Sequence, residues 1–354
     1  MEQFTIGKNE DGKRLDAVAM KLLPQAGKGF IYKMLRKKNI VLNDKKADGN
    51  ERVSTGDVIK IYLSDETFRG FGGVKAENAV DKVAGTPAKD GDTIKQGTKL
   101  ENRRISDGFC RWIIYEDEDI MLINKPVGVL SQKAENDDIS INEMMIDHLL
   151  EEGKTNDQEL RTFKPSVCNR LDRNTSGIVC AGISLKGSRE LTRLIREREA
   201  EKLYMCIVSG IPKCGSSGGK KWTYLKSFLN KDEKSNKVKV SKDEFPGSAP
   251  VEIEYRIVKS EDVYSLLEVR LITGKSHQIR AQLASIGHPI AGDVKYGERL
   301  ENESLRKKYG VKRQLLHAYN FTFPKETVLE NVKGVNFTAE LPGDFFIRPD
   351  DDRQ

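Results

Sequence analysis

At 354 residues the chain is long enough for two domains, one with a large core. Its net charge of +6 is modest for this size, so the charge balance alone does not establish a nucleic-acid partner. No apolar run reaches the roughly 18 residues of a membrane-spanning helix, and Met1-Glu2-Gln3-Phe4 lacks the basic-then-apolar pattern of a secretion signal, so a cytoplasmic location is expected.

Residues 1–68 read as a small independent unit. Arg14-Leu15-Asp16 opens a helix with Leu15, Val18 and Leu22 on one face, and a second helix over Lys28–Lys38 turns Ile31, Met34 and Leu35 inward. Ile40-Val41-Leu42 is a strand, Asn43-Asp44 a turn, and Val58–Leu63 another strand. From Lys28 to Lys46 seven basic residues (Lys28, Lys33, Arg36, Lys37, Lys38, Lys45, Lys46) stand against one acidic residue, Asp44. Such a cluster is either a solvated helix face or a surface that tracks phosphates. Residues 69–106, rich in Gly, Lys, Asp and Thr without a sustained period, read as a flexible linker.

From Phe109 the composition becomes globular, and residues 107–354 form the second domain. Trp112–Tyr115 and Asp119–Asn124 are strands around the turn Glu116-Asp117-Glu118, and residues 139–151 an amphipathic helix. A polar loop centred on Asp172 then runs into an apolar strand, Ile178–Ile183, with a turn signal at Thr175-Ser176-Gly177. That places Asp172 at the mouth of a sheet between Arg170 and Arg173, where cations hold a carboxylate ionised and apolar strands exclude water. Ser188–Glu201 is a helix with Leu191, Leu194 and Ile195 inward, and Lys202–Val208 a strand with Tyr204 near its start. Residues 212–250 form a surface insertion or long hairpin, followed by strands over Val251–Lys259 and Tyr264–Ile272 and a helix over Ser276–Ala284.

The cysteines at 110, 168, 180, 206 and 214 form no C-x-x-C pair and read as buried free thiols in a reducing compartment. Histidines 148, 277, 288 and 317 lack metal-ligand spacing, so no metal is expected.

The string Arg170-Leu171-Asp172-Arg173-Asn174-Thr175-Ser176-Gly177 resembles the signature of the RluA-type pseudouridine synthases, in particular their RluC-like branch. Further matches follow in the family's order: Lys202-Leu203-Tyr204, then Thr273-Gly274-Lys275-Ser276-His277-Gln278-Ile279-Arg280, Gly287-His288-Pro289 and Gly292-Asp293-x-x-Tyr296-Gly297. Ile31 to Asn43 resembles the alpha-L RNA-binding domain first named from a small-subunit ribosomal protein, which RluC-like synthases carry ahead of the catalytic domain. The resemblance implies an α+β architecture: a small N-terminal RNA-binding domain, then a mixed, mostly antiparallel sheet with flanking helices and the active cleft across its middle. It implies Asp172 as the catalytic aspartate, Arg280 as its ion-pair partner, Tyr204 as the active-site tyrosine and Arg170 as the side chain that fills the gap left by the base. Lys33, Arg36, Lys37, Lys38 and Lys275 are then candidate RNA contacts, and His277 orders its loop. Asn169 stands where the family usually has His, and Lys275 where it usually has Arg, a swap that loses bidentate phosphate geometry.

The implied reaction breaks N1–C1′ of uridine, turns the base and joins C5 to C1′. It needs a base out of the stack, an ionised carboxylate against the sugar and a proton shuttle, for which Tyr204 is the candidate. No cofactor is called for. The expected partner is large-subunit ribosomal RNA, free or in an assembling particle, bound by a monomer. A non-catalytic RNA-binding assembly factor and a hydrolase with Asp172 as covalent nucleophile are the competing readings. The trio Asp172, Tyr204 and Arg280 argues against the first, and the lack of a second supported carboxylate or His argues against the other.

Overall fold

A computed structural model describes residues 1–73, 108–135, 138–213, 221–232 and 237–350. The chain divides into two compact units. The first comprises Met1–Phe109 with Met144–Ser166 and Ile183–Lys186, and the second Cys110–Glu143, Val167–Gly182 and Gly187–Gln354. No helix among the described residues is long and apolar enough to cross a membrane.

The first unit holds a four-stranded antiparallel sheet of β1 (Glu2–Thr5), β2 (Ile40–Leu42), β3 (Lys45–Lys46) and β4 (Val58–Ile61), ordered β1-β4-β2-β3. Helices α1 (Leu15–Leu22), α2 (Lys28–Arg36) and α3 (Asp65–Gly70) accompany it. Leu15, Val18 and Leu22 of α1 and Ile31, Met34 and Leu35 of α2 are buried with Ile40, Ile59, Ile61 and Phe68, as their helical spacing requires. Helix α2 ends two residues before the expected Lys38. Lys38 takes a left-handed conformation (φ 60°), its N–H bonds the Leu35 carbonyl at 3.0 Å, and the Asn39 N–H reaches back to Met34 at 2.9 Å. This is a Schellman stop made without glycine. Asn43 and Asp44, both at positive φ (50° and 60°), make the tight turn between β2 and β3.

Sequence reading put residues 107–354 in one domain, whereas 144–166 and 183–186 fall in the first unit. The cause is local docking: Lys21 Nζ donates to the Thr162 carbonyl at 2.6 Å, Gln158 Nε2 to that of Thr5 at 3.4 Å, and the Arg161 guanidinium lies 5.4 Å from the Phe4 ring centre. Of the expected linker, residues 69–73 finish α3 and its turn; residues 74–106 lie outside the described residues, as does Cys214. Of the cysteines expected to be buried, Cys180 and Cys206 are, Cys168 is half-buried, and Cys110 is exposed.

The second unit is built on a sheet whose strands are β5 (Ile113–Glu116), β6 (Ile120–Lys125), β7 (Ser166–Val167), β8 (Ser176–Gly182), β9 (Glu201–Ser209), β10 (Thr223–Asp232), β11 (Lys237–Ser241), β12 (Ala249–Glu261), β13 (Tyr264–Leu271), β14 (Leu316–Thr322) and β15 (Asn336–Thr338). The order is β11-β10-β12-β13-β9-β14-β8-β6-β5, with β15 on β14 and β7 on β8. The pairing of β8 with β14 is parallel and the long run β10-β12-β13-β9-β14 antiparallel. The fold is therefore the expected mixed, mostly antiparallel one. The insertion is a long hairpin, β10 and β11, though residues 214–220 and 233–236 are outside the described set.

The remaining helices are α4 (Ile141–Glu151), α5 (Asp157–Leu160), α6 (Leu185–Arg196), α7 (Gln278–Ser285) and α8 (Arg299–Tyr309). Leu191 and Leu194 of α6 are buried among Ile120, Leu122, Ile178 and Phe321. Helix α6 ends before the expected Glu201, because Arg198 turns left-handed (φ 62°) and Glu201 opens β9.

His317, fully buried on β14, bridges the Ser176 hydroxyl (2.9 Å) and the Ala339 carbonyl (3.2 Å). Burial pushes its pKa down to about 4. The unfolded chain therefore binds a proton near pH 6.5 that the folded chain refuses until about pH 4, so stability falls as pH drops through that window. The slope from this group is about 1.4 kcal/mol per pH unit. Urea unfolding at pH 6.5 and 4.5 should show His317→Gln losing this part of the acid sensitivity; equal slopes in both proteins would contradict the assignment.

Candidate active site

The Asp172 loop hangs between β7 and β8 and is fixed from several sides. Ser131 Oγ donates to the Leu171 carbonyl (3.1 Å) and accepts from its N–H (3.0 Å), while the Thr175 N–H closes on the Asp172 carbonyl at 2.9 Å. Asn169 Oδ1 accepts from the Cys180 N–H at 2.7 Å and its amide donates to the Ile178 carbonyl at 3.3 Å, so this side chain ties the loop to β8.

Lys125, the last residue of β6, fixes the same loop. Its side chain is wholly buried, and Nζ donates to the carbonyls of Pro126 (2.9 Å), Val129 (2.8 Å) and Arg173 (3.2 Å). A group so enclosed does not reach RNA; it clamps the Asp172 loop to the Lys125–Gly128 turn, whose Gly128 N–H also meets the Arg173 carbonyl at 2.9 Å. Burial lowers its pKa to about 7, against the opposing pull of the Asp172 charge.

Asp172 is partly exposed and faces α7. Arg280 Nη1 donates to Asp172 Oδ2 at 2.7 Å. The other edge of the same guanidinium grips Asp293, with Nε to Oδ2 at 2.7 Å and Nη2 to Oδ1 at 2.9 Å. Asp293 is fully buried, and its Oδ1 also accepts from the N–H groups of Lys295 (2.9 Å) and Tyr296 (3.2 Å). The guanidinium is thus held in plane by one buried carboxylate and presented to another, a bidentate-plus-one arrangement that fixes direction as well as charge. Burial opposes its charge, but Asp293 and then Asp172 outweigh that, and its pKa is raised. The Tyr296 ring lies 5.3 Å from the guanidinium carbon.

His277 caps α7 in a left-handed conformation (φ 54°), with Nδ1 2.9 Å from the Tyr296 hydroxyl and Nε2 3.9 Å from Asp172 Oδ2. Burial lowers its pKa, with the Asp172 charge opposing, and the Nδ1 contact ties this loop to Tyr296.

Asp172, His277 and Arg280 line one open cleft of about 690 Å³, together with Arg170, Arg173, Lys202, Tyr204 and Lys275. That is the size of a small-ligand site, ample for a flipped nucleotide. Arg170 and Lys275 are exposed; Arg173 pairs with Asp138 at 3.3 Å. Tyr204 is buried on β9 and burial raises its phenol pKa, so it holds its proton at neutral pH. Asp172, Arg170, Tyr204, Lys275 and Arg280 thus come together. Lys33, Arg36, Lys37 and Lys38 belong to the first unit, where all four are exposed on α2 and the turn after it. Asp293 carried no assigned role in the sequence; its position in a Gly-Asp turn was the available signal.

Residues 119–285, which contain Asp172, Tyr204 and Arg280, match the family described as RNA pseudouridylate synthase. With the mixed sheet and its carboxylate–guanidinium pair, this match supports a pseudouridine synthase, an isomerase. An uncharacterised RNA pseudouridine synthase of Mycoplasma genitalium is 28% identical over 351 residues, covering 96% of each chain. Ribosomal large subunit pseudouridine synthase C of Vibrio cholerae is 26% identical over 88% of this chain and 85% of its own, and synthase D of Neisseria meningitidis 25% over 95% and 77%. Among solved structures, human RNA pseudouridylate synthase domain containing 4 superposes with a TM-score of 0.54 over 70% of this chain and 95% of its own, at 21% identity, a likeness of fold.

Proposed function

We propose that this enzyme isomerises uridines of large-subunit ribosomal RNA through Asp172. The observation that carries the catalytic part is the chain Asp172–Arg280–Asp293, which aims a carboxylate, paired on one side only, into the cleft. Asp172 acts at the sugar while N1–C1′ breaks, either bonding C1′ until C5 displaces it or taking a sugar proton that it returns as C5 joins C1′; the C5 proton then leaves to water and N1 takes one up. Tyr204 stacks on the extruded base and, being held protonated, donates rather than accepts. Arg170 occupies the gap in the RNA stack, and Lys275 takes a neighbouring phosphate.

The choice of ribosomal RNA rests on the names of the relatives in Vibrio cholerae and Neisseria meningitidis, and on the exposed basic cluster of the first unit, read as an alpha-L RNA-binding domain over residues 1–68. A cytoplasmic monomer acting on free RNA or on an assembling particle fits this reading. Mapping pseudouridines after incubation with unmodified ribosomal and transfer RNA tests the choice: sites only in transfer RNA would overturn it. For single-stranded RNA, neutralising about five phosphates gives a log–log salt slope of roughly −3.5, and Lys37→Ala with Lys38→Ala should flatten it by about 1.4. An unchanged slope would remove the turn after α2 from the RNA surface.

A further inference from the structure

The lysine that precedes Tyr204 by two residues has no part in the Asp172–Arg280–Asp293 chain. Lys202 and Tyr204 lie on β9 two positions apart, so their side chains share one face of the strand, and both line the cleft. Lys202 is only 8% exposed. No carboxylate among the described residues pairs with it: the flanking Glu201 pairs with Arg270, and the lining of the cleft also includes the apolar Ile195. Burial lowers its pKa, the Cys180 thiol opposing and the Arg198 charge adding to the effect. Burying a cation without an anion is costly, and a group placed so at a cavity wall waits for a ligand's negative charge. That charge is not a backbone phosphate: the exposed cations Arg170 and Lys275 are the ones placed to meet phosphates. Lys202 sits deep, one pleat from the ring on which the base stacks.

We infer that Lys202 is a catalytic residue that hydrogen-bonds a carbonyl oxygen of the uracil and stabilises the negative charge it gains when N1–C1′ breaks. This rests on the isomerase reading above. When the bond breaks, its electron pair goes to the uracil ring and spreads over O2 and O4. The ammonium donates a hydrogen bond without giving up its proton; the charge is discharged when C5 bonds C1′, and loss of the C5 proton to water with uptake of a proton at N1 completes the neutral product. An oxyanion donor of this kind acts on the chemical step and hardly on ground-state binding.

The test is single-turnover kinetics with Lys202→Met on C5-tritiated RNA that the wild type converts, alongside RNA affinity and thermal melting. The rate at saturating enzyme should fall by about 10²–10³-fold. Affinity should stay within about threefold, and the melting temperature should hold or rise, since methionine removes an unpaired buried charge without losing its packing. A rate within threefold of wild type would overturn the inference, and so would weakened binding with an unchanged saturated rate, which would mark a phosphate anchor. A wild type that releases no tritium from any RNA would instead bring down the isomerase reading and this inference with it.

Discussion

Asp172→Asn should abolish isomerisation while leaving RNA binding and fold in place. Asparagine keeps the shape of the side chain and an oxygen to accept from Arg280 Nη1, which now stands 2.7 Å from the carboxylate. What it removes is the negative charge that attacks or deprotonates the sugar. Losing a group of this kind lowers turnover by on the order of 10⁴-fold or more. Asp172 is partly exposed, so stability should change by less than about 1 kcal/mol. Single-turnover rates and RNA affinity measured together make the case: near-wild-type turnover in the variant would exclude Asp172 as the reacting group, and lost binding would reassign it to recognition.

Asp293→Ala should have the largest effect on stability. It strips a buried guanidinium of a bidentate partner and leaves two backbone N–H groups without their acceptor. Breaking a buried ion pair on one side costs about 3–5 kcal/mol. Turnover should fall as well, because Arg280 would no longer be held in the plane that faces Asp172. The pairing explanation makes a stronger demand: Arg280→Met combined with Asp293→Leu removes both charges, and should recover much of the lost stability but none of the activity. Urea unfolding of the two variants separates the cases. A double variant as unstable as Asp293→Ala would mean that the loss came from the turn and not from the unpaired charge.

Residues that announce themselves by period or by type were legible in the sequence. The apolar faces of α1, α2 and α6 lie where their spacing put them, and the loop around Asp172 ends at the sheet as its polar-to-apolar transition suggested. Arg280 emerged from resemblance, and it meets Asp172 across 108 residues of sequence. What was illegible depends on contacts distant in the chain. Lys125 reads as a strand-end cation, yet three carbonyls around it, one of them 48 residues away, make it a buried clamp. Gly177 reads as a turn before a strand, yet it lies inside β8 at φ 112°, where an added Cβ would come within 2.1 Å of the Ala318 carbonyl oxygen on the parallel neighbour. The first unit draws in 144–166 through hydrogen bonds that no local pattern encodes.

The most direct test of the central claim is the fate of C5-tritiated uridine in RNA exposed to the wild-type enzyme. An isomerase releases tritium to water while the RNA strand stays intact and no free uracil appears, because the base is re-joined to the same sugar. Tritium release from unmodified large-subunit ribosomal RNA, without free uracil, is the predicted result. Free uracil with abasic sites would identify a hydrolase working through Asp172, and tight binding without release would leave a protein that holds RNA but does not change it; either outcome contradicts the account.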